Sequence, residues 1–106
     1  MKLLEKHASK ILRHKGVELN IVSREVARDG KEIELTSKEY NILEYMMRNI
    51  GNVISREKLS THVWNYDYDG GSNVIDVYMH HLRKKIDEDY DDKLISTIKG
   101  VGYIIK

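Results

Sequence analysis

Cysteine is absent from this chain of 106 residues. Disulfide bonds and thiolate metal sites are therefore excluded, and the composition fits a protein of the reducing cytoplasm. No uncharged stretch approaches the roughly 18 residues that a membrane-spanning helix requires, and charges interrupt the first residues too soon for a secretion signal. We expect a cytoplasmic protein with no membrane partner.

An excess of charge of one sign is also lacking, because 18 Lys and Arg residues stand against 17 Asp and Glu residues. The chain as a whole offers little attraction to a polyanion, so any binding of one depends on local patches. The acidic run at 87–92 would repel a polyanion. We expect it to form a solvated turn that points away from such a ligand.

Sequence features of catalysis are scarce as well. The chain has no cysteine nucleophile, no phosphate-cradling glycine-rich loop and no evident pair of carboxylates in a pocket. Gly100 and Gly102 belong to a tight turn between predicted strands and do not precede a helix, so they do not indicate a nucleotide site. We expect a protein that is not an enzyme and that uses no cofactor.

The first third of the chain predicts a small antiparallel sheet. Residues 1–10 form either a linker or a short amphipathic extension. From residue 11 to residue 35, short alternating runs are separated by Gly16 and by the Asp29-Gly30 pair, which is a strong hairpin signal. We expect three or four strands here and place the start of the folded domain, 11–106, at the first of them.

Cap signals and helical spacing predict three helices after the sheet. Thr36 and Glu39 form the sequence signature of a capping box. The apolar face of the first helix comprises Tyr40, Ile42, Leu43, Met46, Met47 and Ile50. Ser55 is the expected N-cap of the second helix, and Ser72 that of the third. Two strands, 94–98 and 103–105, then form a hairpin around Gly100 and Gly102.

The third helix, 73–86, has two chemically different faces. At about 100° per residue, one side carries the apolar stripe Ile75, Met79, Leu82 and Ile86. The other side gathers Asn73, Val74, Val77, His80, His81 and Lys84. Such a mixture suits the major groove of DNA, because Lys84 can meet phosphate, polar groups can reach base edges and valines can touch thymine methyls.

The order sheet, helix, short strand, helix, loop, helix and hairpin predicts an α+β winged helix-turn-helix fold. It comprises an N-terminal antiparallel four-stranded sheet, three helices and a C-terminal β-hairpin wing. In this arrangement the helix 73–86 lies in the major groove, and the wing 94–105 lies near the minor groove. Lys99, beside the wing glycines, suits a minor-groove or phosphate contact.

Several motifs occur in a specific order. They are Leu35-Thr36-x-x-Glu39-Tyr40-x-x-Leu43, Val53-Ile54-Ser55-Arg56-Glu57-x-Leu59, His62-Val63-Trp64, Val74-Ile75-Asp76-Val77-Tyr78-x-x-x-Leu82-Arg83-Lys84-Lys85-Ile86 and Thr97-Ile98-Lys99-Gly100-Val101-Gly102-Tyr103. With this set, nearly the whole chain resembles the DNA-binding output domain of OmpR/PhoB-type two-component response regulators. The resemblance implies sequence-specific binding of double-stranded DNA in transcription regulation, within a phosphorelay.

The resemblance also implies individual contacts. Base contacts fall on Val74, Val77, His81 and Thr97. Contacts with the DNA backbone fall on Trp64, Asn73, His80, Arg83 and Tyr103, to which the helix face adds Lys84, and Lys99 acts from the wing. The chain departs from many relatives by having His80, His81 and Asn73 at frequently basic positions. Imidazole cannot grip guanine or phosphate bidentately as arginine does, so a relative's operator preference does not transfer.

Further partners follow from the same resemblance. The loop with Asn65, Tyr66, Asp67 and Tyr68 matches the segment that relatives often use to touch RNA polymerase. A phosphorylatable receiver domain would lie upstream, outside this chain, and binding would occur as a head-to-tail dimer on tandem direct repeats.

Simpler explanations stand beside several of these assignments. Val74 and Val77 could be ordinary exposed valines, Trp64 a packing residue, and Tyr66 and Tyr68 plain loop surface. His80, His81 and Asp76 could suggest a metal site, although one helix supplies at most three ligands. A winged helix that serves only protein association is the alternative function, which the near-neutral charge favours.

Overall fold

The computed structural model describes residues 10–64 and 73–106, without the side chains of Trp64 and Asn73. Within these residues the chain forms three helices and seven strands. They are β1 Ile11–His14, β2 Val17–Asn20, β3 Val26–Arg28, β4 Lys31–Ile33, α1 Ser37–Met47, β5 Ile54–Ser55, α2 Arg56–Trp64, α3 Asn73–Ile86, β6 Ile95–Ile98 and β7 Gly102–Ile105. The predicted winged helix-turn-helix is confirmed. The predictions for 1–9 and for the cap Ser72 lie outside the described residues.

The N-terminal sheet has four antiparallel strands in the order β1-β2-β3-β4. Two-residue turns, Lys15-Gly16 and Asp29-Gly30, join its outer strand pairs, and both residues of each turn have positive φ. Type I′ hairpin turns require this conformation. The Asp29-Gly30 signal therefore predicted the turn correctly, and it sets the register in which Arg28 pairs with Lys31.

Helix α1 begins with the predicted capping box. The Thr36 hydroxyl accepts from the Glu39 amide, and the Glu39 carboxylate accepts from the Thr36 amide. The expected apolar face is correct except at its end. The helix stops at Met47, so Ile50 lies beyond it and is 37% exposed.

The core lies between the three helices and the two sheets, where each helix packs against the other two. It includes the predicted stripe of α3, since Ile75, Met79, Leu82 and Ile86 are fully buried or nearly so. Helix α2 starts after Ser55, whose hydroxyl accepts from the Lys58 amide at 3.1 Å. That bond confirms Ser55 as the predicted cap.

A second antiparallel sheet, in the order β5-β7-β6, carries the wing. The observed hairpin strands differ from the predicted ones by one residue each. The first is one residue shorter, because Leu94 precedes β6, and the second is one residue longer, because Gly102 opens β7. A β-carbon at Gly102 would overlap the carbonyl oxygen of Ile54 on β5. Glycine is therefore required where the wing backbone crosses the strand before α2.

The acidic run 87–92 corrects one expectation, because Asp87 is not part of a solvated turn. Asp87 is 3% exposed and forms an ion pair of 2.6 Å with Arg28, which is 2% exposed. The same carboxylate accepts from the amides of Leu94 and Ile95 at 2.7 and 3.0 Å. A buried charge needs such partners, and they join the end of α3, the sheet and the start of the wing.

Candidate nucleic-acid interface

Among the residues predicted for the groove face of α3, those whose side chains the structure describes lie on its solvent-facing side. Val77 is 55% exposed, His80, His81 and Lys84 are exposed, and Val74 is half-buried. The rings of the two histidines are tilted at 56° with centroids 5.8 Å apart. The two rings are therefore not coplanar, and both lie on the exposed side of the helix.

The wing lies beside this helix face. Thr97 and Lys99 are exposed, and so is Val101 at the tip, where Gly100 adopts a φ of +78°. Arg83 of α3 donates to the Thr97 hydroxyl of β6 at 2.8 Å. The structure thus brings together two residues that the sequence assigned to different contacts, one to backbone phosphate and one to a base.

Tyr103 is placed differently from a free surface tyrosine. It is 8% exposed, and its hydroxyl donates to Asp76 Oδ1 at 2.5 Å. Burial, together with the adjacent Asp76 carboxylate, raises the pKa of Tyr103 to about 12. The second carboxylate oxygen of Asp76 accepts from Arg56 at 2.9 Å. Asp76 therefore contacts α2 and the wing from the first turn of α3.

Between α3 and the wing lies an open cleft of about 390 Å³. Its lining contains Asp76, Met79, His80, Arg83, Lys84, Asp87, Glu88, Lys93 and Tyr103. Basic side chains at the end of α3 also complement the negative C-terminal end of the helix dipole. The electrostatic character of the interface is thus local and mixed, in keeping with the near-zero net charge.

Two further predicted site residues lie at helix ends. Trp64 ends α2 and Asn73 begins α3, which places both backbones at the loop between these helices. Asn65, Tyr66, Asp67 and Tyr68 lie outside the described residues.

Arg56 was not identified from the sequence as part of this surface. It lies at the start of α2 and is half-exposed, next to the wing residues Gly100 and Val101. The sequence feature that could have identified Arg56 was its place in the motif Ser55-Arg56-Glu57. Helical periodicity does not predict its ion pair, because the partner Asp76 is 20 residues away on another helix.

His62 adds a feature on the far side of α2. Its ring stacks on Tyr45 of α1, with centroids 3.9 Å apart and an interplanar angle of 13°. The residue is exposed, as expected, but it also joins two helices.

Comparisons with known proteins agree with this geometry. The family described as "Transcriptional regulatory protein, C terminal" matches residues 30–105. The transcriptional regulatory protein YkoG of Bacillus subtilis, described as uncharacterized, is 45% identical over 95 residues, which are 90% of this chain and 42% of YkoG.

Solved structures show the same fold. The DNA-binding domain of Bacillus subtilis CssR is 34% identical, with a TM-score of 0.75 over 85% of this chain and 99% of that domain. The Thermotoga maritima OmpR/PhoB homolog DrrB is 31% identical, with a TM-score of 0.81 over 92% of this chain and 44% of DrrB.

Fold and site together define a winged-helix DNA-binding domain of a transcription regulator. The chain belongs to the family of C-terminal domains of transcriptional regulatory proteins, of the OmpR/PhoB response-regulator type. It spans about two fifths of the length of the curated relatives that it matches. None of the helices within residues 10–64 and 73–106 is long and apolar enough to cross a membrane.

Proposed function

We propose that this domain binds double-stranded DNA by placing α3 in the major groove and the wing near the minor groove. One observation carries the proposal. The exposed side of α3, with Val77, His81 and Lys84, lies beside Thr97 and Lys99 of the wing, so a single surface offers groups for base edges and for phosphates.

The chemistry of each side chain suggests its target. Val74, Val77, His81 and Thr97 contact bases, since small apolar groups fit thymine methyls and single hydrogen bonds fit base edges. His80, Arg83, Lys84 and Lys99 contact the backbone through donors and positive charge. Trp64 and Asn73 contact phosphates beside the α2–α3 loop, where their positions in the chain place them.

The biological setting is proposed from family membership. The folded domain covers 11–106, with 1–10 as a linker or N-terminal extension and a receiver domain upstream. Two copies bind tandem direct repeats head to tail in the cytoplasm. Residues 65–68 contact RNA polymerase. The shortfall in length relative to full regulators supports the receiver domain.

Selection of bound sequences from a random DNA pool tests the proposal. We expect an enriched site, and an affinity for it that falls with salt with a slope of roughly −3 in log K against log salt, since three or four cations would neutralise phosphates. No enrichment together with a slope near zero would favour a domain that serves only protein association.

Variants locate the surface. Val77→Ala combined with His81→Ala is expected to abolish sequence preference and leave the fold intact, because both side chains are exposed. Val22→Ala is the matched control, since Val22 is 59% exposed but lies between β2 and β3. Equal sequence preference in the wild type and in both variants would contradict the assignment of base contacts to α3.

A further inference from the structure

One carboxylate lies where three elements of the DNA-binding surface meet. The side chain of Asp76, on α3, is 37% exposed. Its Oδ1 accepts from the Tyr103 hydroxyl of β7 at 2.5 Å, and its Oδ2 accepts from the Arg56 guanidinium of α2 at 2.9 Å. A single side chain therefore joins α2, α3 and the wing.

The bond from Tyr103 limits what its hydroxyl can do elsewhere. A phenol has one proton, so it donates one strong hydrogen bond at a time. Ionised phosphate oxygens only accept. While Tyr103 donates to Asp76, it has no proton left for a phosphate, so this bond and a direct phosphate contact exclude each other.

The charge of Asp76 makes its presence on this surface informative. A carboxylate near phosphates weakens DNA binding by Coulomb repulsion. A favourable contribution from Asp76 must therefore come from the geometry that it maintains. Its ion pair with Arg56 also keeps a guanidinium beside the wing turn at Gly100 and Val101.

We propose that Asp76 is a positioning residue for DNA binding, which holds the wing through Tyr103 and orients Arg56 beside α3. Tyr103 then anchors the wing and is not a phosphate ligand. This inference rests on the proposed function, in which α3 and the wing contact DNA, and Asp76 is the residue that keeps these two elements in register.

The DNA affinity of matched variants tests the proposal, because charge removal and loss of positioning change the affinity in opposite directions. Asp76→Asn removes one negative charge with almost no change in shape, and Asp89→Asn does the same at an exposed turn residue. Charge removal alone predicts equal or slightly tighter binding for both variants. Positioning predicts that Asp76→Asn weakens binding of the selected DNA about tenfold, the value of a lost hydrogen bond to a charged group. Binding by Asp76→Asn as tight as by Asp89→Asn would overturn the proposal.

A double variant distinguishes anchoring from a direct phosphate contact of Tyr103. If the hydroxyl acts through Asp76, adding Tyr103→Phe to Asp76→Asn causes no further loss of affinity. If the double variant lost affinity by the product of the two single-variant factors, the anchoring role would be overturned. Tyr90→Phe serves as the control for removing a hydroxyl from a tyrosine that is half-buried and bonds elsewhere, to the Arg28 carbonyl.

Hydrogen exchange in the free protein gives a readout that needs no DNA. In Asp76→Asn and in Tyr103→Phe, the amides of 95–105 should exchange about tenfold faster, while those of α1 keep their wild-type rates. Unchanged wing exchange in both variants would refute the anchoring role. Faster wing exchange in a protein that selects no DNA sequence would support the anchoring role and refute the proposed function.

Discussion

The buried ion pair between Arg28 and Asp87 is expected to be a sensitive point of the domain, because the loss of one partner alone is costly. Both side chains are nearly inaccessible, at 2% and 5%. Arg28 also donates to the Ile86 carbonyl at 2.7 Å and to the Asp92 carbonyl, and its guanidinium stacks on the Tyr90 ring at 4.1 Å. Removing one partner leaves the other charge in a place that water does not reach.

The magnitude follows from that environment. Breaking a buried pair from one side costs about 3–5 kcal/mol. Asp87→Asn falls in this range, because it removes the charge opposite Arg28. The amides of Leu94 and Ile95 bond to different oxygens of Asp87, so the single amide oxygen of Asn can replace only one of these two acceptors. Domains of this size are stable by only about 5–15 kcal/mol. We therefore expect Asp87→Asn to lower the unfolding free energy by at least roughly a fifth.

The assay is a double-mutant cycle by urea unfolding, followed by far-UV circular dichroism. We expect Arg28→Met and Asp87→Asn each to cost about 3–5 kcal/mol and the double variant clearly less than their sum, since it contains no unpaired charge. The exposed pair Arg13 and Glu18, at 51% and 25%, is the control, with a coupling of at most about 1 kcal/mol.

Two results would refute this reasoning. One is additivity of the Arg28 and Asp87 changes within about 0.5 kcal/mol, as independent sites show. The other is an Asp87→Asn protein about as stable as wild type, which would mean that the pair contributes no more than a surface ion pair.

Three further outcomes follow from the structure. Gly102→Ala should lower the midpoint of thermal unfolding by several degrees, because its new methyl group meets the Ile54 carbonyl, and an unchanged midpoint would contradict that close contact. Absorbance titration should show Tyr103 ionising near pH 12, and Asp76→Asn should lower this pKa. Because the pKa of Tyr103 in the folded protein lies above its ordinary value, the contribution of Tyr103 to stability is present below about pH 10 and is lost as pH rises through 12. Burial raises the pKa of Glu39, but hydrogen bonds from Lys85 and Thr36 outweigh burial and lower the pKa overall. The contribution of Glu39 to stability is therefore present above its pKa in the unfolded chain and is lost as pH falls through its pKa in the folded protein. Lys85→Met should therefore flatten the loss of stability in acid, as measured by urea unfolding from pH 6 to pH 3.

Much of the local structure could be predicted because its causes lie within a few residues. The capping box joins Thr36 to Glu39, and Asp29-Gly30 adopts its turn through its own backbone preferences. The stripe of α3 follows from the helical repeat. The motif order then identified the fold, and the exposed side of α3 followed from its periodicity.

At the end of α1, the local sequence pattern does not predict where the helix stops. Ile50 continues the apolar spacing of the helix, but the chain leaves the helix at Met47. Gly51, with a φ of +90°, then donates to the carbonyl of Ile105 at 2.8 Å. A contact with the last strand of the chain thus accompanies a boundary that the helical pattern does not indicate.

Patterns along the chain predicted most elements, their order and the two faces of α3. The folded structure was needed to show which charges are buried and which contacts hold the surface together. Asp87 looked like one acid among several in a solvated turn, yet Arg28, 59 residues away, makes its burial possible. Asp76 looked like a helix carboxylate, yet it joins Tyr103, 27 residues away, to Arg56. Pairing of charges depends on distance in space, and no spacing rule along the chain encodes that distance.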